Sequence, residues 1–332
     1  MGLSSFGELV ALRTKLASIL PFLVGVLFAV NLGYDINWAN TIILFVVTLT
    51  LAMATTGISN LVAYNKSQGS ASAQSQTVIG KRQLPLLLVQ LMLVVMLTLA
   101  TCLGIWLVWR TNLMLLLLGI VGFGIAIFYT IGPVPLSRLP LGEVFVGGSL
   151  GLLLPFTAVY VNVPSQKLIG IILHWPGMLV MGNLWSLIAV VLLCLPLMAT
   201  TANLMFAENI VGLRDQTIDE DKHTLPEYLG QQWSLIVYRS FTVIGFLGII
   251  IGMATGMLSW WLAVMLIAVP AVVLNDRHFK QMVEEKTTST ADDITTSAHN
   301  GLFQNELWPA ISNILWVNGS LLLSLILEMV VQ

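Results

Sequence analysis

Long apolar runs separated by polar stretches set the pattern of this chain. Nine such runs cover residues 16–33, 40–59, 85–109, 112–131, 141–161, 178–206, 233–256, 258–274 and 308–330. About 20 apolar residues in a helix cross the ~30 Å hydrocarbon layer of a bilayer, so each run qualifies or nearly qualifies as a span. The strict alternation of a membrane β-barrel strand is missing from all of them. The pattern therefore predicts an all-α, polytopic membrane protein, with nine transmembrane helices in a single domain over residues 1–332. Pro21, Pro155, Pro196 and Pro270 fall inside runs, where neighbouring helices can re-satisfy the freed carbonyls. Gly245, Gly248, Gly252 and Gly256, and Gly147, Gly148 and Gly151, form small-residue steps that predict close helix packing. A ligand-facing groove is the alternative reading of the same glycines.

Composition agrees with the pattern. The chain is 57% hydrophobic and 9% charged, whereas a soluble domain carries roughly 25% charged residues. A soluble enzyme, a secreted disulfide domain and a disordered protein are all excluded. Cys102 and Cys194 lie inside apolar runs and read as packing residues. His174, His223, His278 and His299 form no HxxxH or HxH cluster, which argues against a histidine-built metal site. A net charge of −2 gives no reason to expect a nucleic-acid partner. Residues 1–18 show no basic segment followed by a small-residue cleavage site, so the first run is expected to be a retained helix.

Charge sets the expected orientation. Arg13, Lys15, Lys66, Lys81, Arg82, Arg138, Arg214, Lys222, Arg239, Arg277, Lys280 and Lys286 fall on one side, and Arg110 and Lys167 on the other. The positive-inside rule then places the N-terminus in the cytoplasm and the chain in the cell membrane as a multi-pass protein. The hydrophilic stretches 60–84, 207–232 and 275–307 become cytoplasmic loops, and 162–177 an outer segment lying along the interface. The Thr-, Ser- and acid-rich residues 284–299 are expected to form a mobile linker.

Three strings then carry a resemblance. The first is ELVALRTKLASILPF at residues 8–22. The second is YTIGPVPLSRLPLGE, from Tyr129 through Gly132, Pro133, Ser137, Arg138, Pro140 and Gly142 to Glu143. The third is NLMFAENI at 203–210, with Glu208 and Asn209, followed by TLPEYLG at 224–230. Together with nine spans they resemble the UbiA superfamily of intramembrane prenyltransferases, in the branch of 1,4-dihydroxy-2-naphthoate polyprenyltransferases of menaquinone biosynthesis. The resemblance runs from about residue 6 to 330.

That family implies transfer of a polyprenyl chain from its diphosphate to an aromatic acceptor within the bilayer. The implied partners are membrane lipids and a polyprenyl diphosphate or quinone-like lipid. Two Asp-rich motifs, after spans two and six, are implied to hold Mg²⁺, a hard cation suited to carboxylate and phosphate oxygens. By the same resemblance Lys81, Arg82 and Arg138 would hold diphosphate oxygens. Asn60, Tyr64, Tyr129 and Asn209 would line the substrate site, and Arg13 and Lys15 would anchor the entry helix at headgroups. For the cationic residues, the positive-inside signal is an equally good account.

The sequence departs from the family at both motifs. In SNLVAYNKS, residues 59–67, Ala63 stands where the family has Asp, and no carboxylate occurs between Asp35 and Glu143. Asn60, Asn65 and Gln68 offer only neutral oxygens, which compete weakly for a strongly hydrated cation. In the second motif Gly212 and Gln216 take the two Asp places, but Asp215 and Asp219 repeat the spacing three residues downstream. These two carboxylates are either a relocated Mg²⁺ site with a catalytic role or a solvated acidic loop paired with Arg214 and Lys222. Two functions stay open: a prenyltransferase with a rebuilt metal site, or a non-catalytic isoprenoid- or quinone-binding protein that assists a catalytically intact paralogue. A transporter fits poorly, since Arg239 and Glu328 lie near helix ends and the spans are otherwise nearly free of charge.

Overall fold

A computed structural model describes residues 3–10, 16–67, 74–75, 77–132, 135–174, 177–212, 224–288 and 302–331. After a short α1 (Leu3–Leu9), the apolar runs become α2 (Leu16–Asn31), α3 (Trp38–Lys66), α5 (Leu86–Arg110) and α6 (Leu113–Phe128). The one-turn α4 (Val78–Lys81) precedes α5. The composite α7 (Gly142–Tyr160) follows, then α8 (Leu184–Gly212), α9 (Leu225–Ala254), a 3-10 turn (Trp260–Ile267) leading into α10 (Ala268–Thr288), and α11 (Leu302–Val331).

Among the described residues, seven helices are long and apolar enough to cross a membrane. The remaining two, α2 and α6, have 16 residues each, about 24 Å of helix against a ~30 Å core. The expectation of nine full-length spans therefore holds in length for seven. Exposed Trp38, Trp106, Trp109, Trp185 and Trp260 gather at one end of the bundle, and exposed Tyr228, Trp233 and Trp308 at the other. Such aromatic belts mark the two edges of a bilayer. The first end also carries a hairpin and is called the hairpin end; the second carries Lys66, Lys81, Arg82 and Arg138 and is called the basic end.

Three sequence expectations are corrected. The helices at the basic end outrun their apolar segments. α3 extends to Lys66, α8 to Gly212 and α10 to Thr288, because polar residues continue a helix as readily as apolar ones once it has nucleated. The stretches 60–84, 207–232 and 275–307 are thus partly helical, and of the linker at 284–299 only residues from 289 on lie outside the described residues. Second, the bundle is not entirely helical. Residues 162–177 and the start of the sixth run contribute β1 (Ile169–His174) and β2 (Gly177–Gly182), antiparallel with Ile169 opposite Gly182. The branched residues Ile169, Ile171, Ile172 and Val180 favour this extended form. The Tyr160 hydroxyl donates to the Ile169 carbonyl (2.9 Å), and Asn183 caps α8 by accepting from the Trp185 amide (2.9 Å). Third, α7 contains a π-helical segment at Gly147–Leu153. Pro155 has no N–H to donate, and the Leu154 amide reaches back five residues to the Ser149 carbonyl.

The packing explains most of the glycines. α8 is the central helix. Gly147 and Gly151 of α7 sit against its Met198 and Ala202, and Gly245 and Gly248 of α9 against its Leu195 and Pro196. A Cβ at any of these four would collide with α8. Gly252 packs on Leu258, whereas Gly148 and Gly256 meet nothing within 4 Å; Gly256, at φ +70°, turns the chain after α9. Close packing is thus the use of five of the seven glycines. α2 closes the ring against α11, where Asn31 Nδ2 donates to the Leu325 carbonyl (3.2 Å) and to Glu328 Oε2 (2.8 Å).

Candidate substrate cavity

A cavity of about 670 Å³ opens between α2, α3, α5, α6 and α7, within the 300–1,000 Å³ range of small-molecule sites. Phe22, Phe45, Leu107, Phe123 and Leu153 are among its apolar walls. The hydroxyls on its surface are mostly spent on their own helices. Thr48 donates to the Leu44 carbonyl (2.9 Å), Thr55 to Leu51 (3.1 Å), Thr56 to Ala52 (3.2 Å) and Thr157 to Leu153 (2.6 Å). Among the described residues no charged side chain lines it. A charge generated inside would therefore meet a medium of low dielectric.

The polar chemistry gathers where the cavity meets the basic end. Ser59 of α3 and Thr130 share a hydroxyl–hydroxyl bond of 2.9 Å, and Ser59 and Tyr129 line the cavity. The chain after α6 folds back on itself. The Ser137 amide donates to the Tyr129 carbonyl (3.1 Å), a 3-10 turn spans Leu136–Arg138, and the Gly142 amide donates to the Leu139 carbonyl (3.0 Å). A Cβ on Gly142 would come within 2.9 Å of the Leu136 carbonyl oxygen, so the turn requires glycine there. It delivers the next residue, Glu143, into the interior at 1% exposure. Asn209, from the second motif on α8, donates through Nδ2 to Glu143 Oε1 at 2.7 Å. Val146 and Met205, one helical turn further into the membrane on each helix, line the cavity. Tyr129 follows the end of α6. Burial first, then the negative charges of Glu208 and Glu143, raise its phenol above the ordinary value and keep it protonated.

Tyr129 thus lines the cavity, and Asn209, held by Glu143, stands one turn beyond its lining residue Met205. The other implied site residues are placed differently. Asn60 donates through Nδ2 to the Leu9 carbonyl at 2.6 Å, which ties α3 to the N-terminal α1. Tyr64 packs in a cluster of Leu9, Ile58, Ile79, Val89 and Leu93. Arg82 pairs with Glu8 of α1, with Nε to Oε2 at 2.8 Å and a second contact between Nη2 and Oε1. That hydrogen bond and the charge of Glu8 raise the guanidinium above its ordinary value. Lys81 is exposed at the end of α4, and Arg138 is half-buried on the 3-10 turn. Asp215 and Asp219 lie outside the described residues.

The donors at the α3 end do not fit Mg²⁺: Asn60 and Asn65 offer only neutral amide oxygens, with no carboxylate beside them in the sequence. Among the described residues no three His, Cys, Asp or Glu side chains converge on one point. Sequence reasoning left Glu143 and Glu208 out of the site. The signal was present: Glu143 is the single acidic residue between Asp35 and Glu208, and it stands at the head of an apolar run.

Comparison with known proteins bears on fold and family. No family model matches the sequence. A 1,4-dihydroxy-2-naphthoate octaprenyltransferase of Bacillus subtilis (strain 168) is 26% identical over 186 residues, 55% of this chain. The chain spans about half the length of that relative, 52%. Among solved structures, one described for digeranylgeranylglyceryl phosphate synthase superposes with a TM-score of 0.61 at 12% identity, covering 98% of both chains. A UbiA homologue from Aeropyrum pernix K1 superposes with a TM-score of 0.61 at 14% identity, covering 94% of this chain and 98% of that one.

Proposed function

We propose that this chain is a UbiA-superfamily prenyltransferase of low turnover; the reading is supported by the fold likeness over nearly its whole length and by the sequence likeness over about half of it. Its substrates are a polyprenyl diphosphate and an aromatic quinone precursor such as dihydroxynaphthoate. All nine helices span the membrane in this reading, with the N-terminus and the basic end in the cytoplasm. The observation that carries it is the apolar cavity of about 670 Å³, lined at its basic end by Tyr129, with the Glu143–Asn209 pair one turn beyond its lining residues Val146 and Met205.

The isoprenoid chain occupies the cavity and the diphosphate its basic end. Arg138 and Lys81 attract the phosphate charge, and the protonated Tyr129 can donate to a phosphate oxygen. The allylic C–O bond breaks and its electron pair leaves with diphosphate. A ring carbon of the aromatic acceptor then gives its π electron pair to the allylic carbon to form the new C–C bond, inside a space that excludes water. The ring regains aromaticity by losing a proton to the released diphosphate, or carbon dioxide where the attacked carbon carries the carboxylate. No step is routed through a metal, because the described donors do not fit one. Asp215 and Asp219 are the carboxylates proposed for Mg²⁺.

The missing charge at Ala63 favours low turnover. The test is purified protein in lipid nanodiscs with Mg²⁺, a polyprenyl diphosphate and dihydroxynaphthoate. The expected rate is below about 1 s⁻¹, against a median near 10 s⁻¹ for enzymes. Turnover at about 1 s⁻¹ or faster removes the impaired-site reading. The same absence of carboxylates between Asp35 and Glu143 supports a second reading, a non-catalytic isoprenoid- or quinone-binding protein. Prenyl diphosphate binding with no turnover would select it, and absence of binding would remove both.

A further inference from the structure

Resting on the reading above, we propose that Glu143 is a positioning residue, whose work is to fix the orientation of the Asn209 amide at the diphosphate end of the cavity. Burying a carboxylate is costly, and a buried charge needs a hydrogen-bonded reason to stay. Several other helix–helix joints use neutral pairs. Asn203 Nδ2 donates to Thr242 Oγ1 (2.9 Å), Asn275 to Ser312 Oγ (3.0 Å), and Thr41 to Asn162 Oδ1 (3.0 Å). Three buried carboxylates accept from an amide: Glu143 from Asn209, Asp276 from Asn313 and Glu328 from Asn31. Of these, only the Glu143–Asn209 pair stands one turn from cavity-lining residues on both its helices, Val146 and Met205.

The chemistry of the pair follows from the inventory of an amide. An asparagine has a donor nitrogen and an acceptor oxygen on opposite sides of one planar group. A carboxylate can only accept, so facing Asn209 it admits only the nitrogen. Oδ1 is then presented on the side away from Glu143. That is the polarity required to meet a cation or a hydroxyl, and the wrong one for a phosphate oxygen. A neutral partner able to donate as well as accept would let the amide flip. Gly142 is the device that puts the carboxylate in place, since the turn admits no Cβ there. The substrate feature recognised through Asn209 is accordingly a cation paired with the diphosphate, or the hydroxyl of the acceptor.

The test measures binding, so it does not depend on turnover. Full-length protein in lipid nanodiscs is titrated with geranylgeranyl thiolodiphosphate, a non-reacting analogue, in Mg²⁺ with and without dihydroxynaphthoate. Glu143→Ala and Asn209→Ala are each expected to weaken binding roughly tenfold, and the double variant no further, because both remove one oriented acceptor. Glu143→Gln leaves an acceptor for Asn209 Nδ2 but can also donate and so lets the amide flip; it is expected to fall between the wild type and Glu143→Ala, about threefold weaker than the wild type. Asn209→Asp sets two carboxylates face to face and is expected to weaken binding, and adding Glu143→Gln should restore it; this pair keeps the test alive if Glu143→Ala does not fold. Additive losses from the two alanine variants, or full binding by Glu143→Ala, would overturn the proposal, as would failure of Glu143→Gln to rescue Asn209→Asp. A wild-type protein that binds no analogue would remove the functional reading itself, and this inference with it.

Discussion

Two helix ends face each other across the basic end of the bundle, and they have been used in opposite ways. The end of α3 carries the first motif position. Its Asn60 is spent on the Leu9 carbonyl, its neighbour Arg82 on Glu8, and its Tyr64 on an apolar cluster. The end of α8 carries the second. Its Asn209 is oriented by the buried Glu143, Glu208 and Glu143 act on Tyr129, and the acidic residues 215–221 follow in sequence. One end ties down the chain's own N-terminal segment, although its Ser59 still lines the cavity; the other holds a buried carboxylate–amide pair one turn beyond the lining residues Val146 and Met205. A family motif position therefore does not by itself define a site. What differs is the partner that fixes each amide: a backbone carbonyl of α1 for Asn60, a buried carboxylate for Asn209.

The comparison can be broken most sharply at its acidic extremes. Asp215→Ala or Asp219→Ala is expected to abolish whatever turnover the wild type shows, a loss of 100-fold or more; product formation unaffected by both would return that segment to a solvated loop. Ala63→Asp works from the other side. Residue 63 is exposed on the last turns of α3, so a carboxylate there costs little in packing. It is expected to raise turnover about tenfold and to lower the Mg²⁺ concentration needed, measured as initial rate against Mg²⁺. Asn60→Ala is expected to leave prenyl diphosphate binding unchanged while costing about 1 kcal/mol of stability, the worth of one hydrogen bond, seen in thermal unfolding. At the bottom of the scale lies Glu8→Gln. The pair it breaks is exposed and screened by salt, and no shift of the unfolding midpoint is expected at physiological ionic strength.

Much of the architecture could be read from the apolar runs, since burial in lipid leaves a strong one-dimensional signal. Seven spans, the packing glycines against α8 and the grouping of charge at one end all follow from it. Where the signal stops, so does the reading. In the helical continuation of α8 to Gly212, Glu208 and Asn209 interrupt the apolar run, although Ala207, Ile210 and Val211 keep its buried face going. The hairpin at Ile169–Gly182 hid inside apolar sequence that serves a strand or a helix equally well. The site divided along the same line. Tyr129 and Asn209 were found at motif positions, but the contacts that separate Asn60 and Arg82 from the cavity cross 51 and 74 residues of chain. Glu143 meets Asn209 across 66. No local pattern records such a meeting; only an isolated acid in an apolar context pointed to it.

The central claim, that Asn209 of the α8 end and not Asn60 of the α3 end serves the substrate, is tested most directly by one paired measurement. Asn209→Ala and Asn60→Ala are each titrated with geranylgeranyl thiolodiphosphate in nanodiscs against the wild type. The account predicts roughly a tenfold loss of affinity for Asn209→Ala and less than a twofold change for Asn60→Ala. Equal losses, or a larger loss at Asn60, would contradict it.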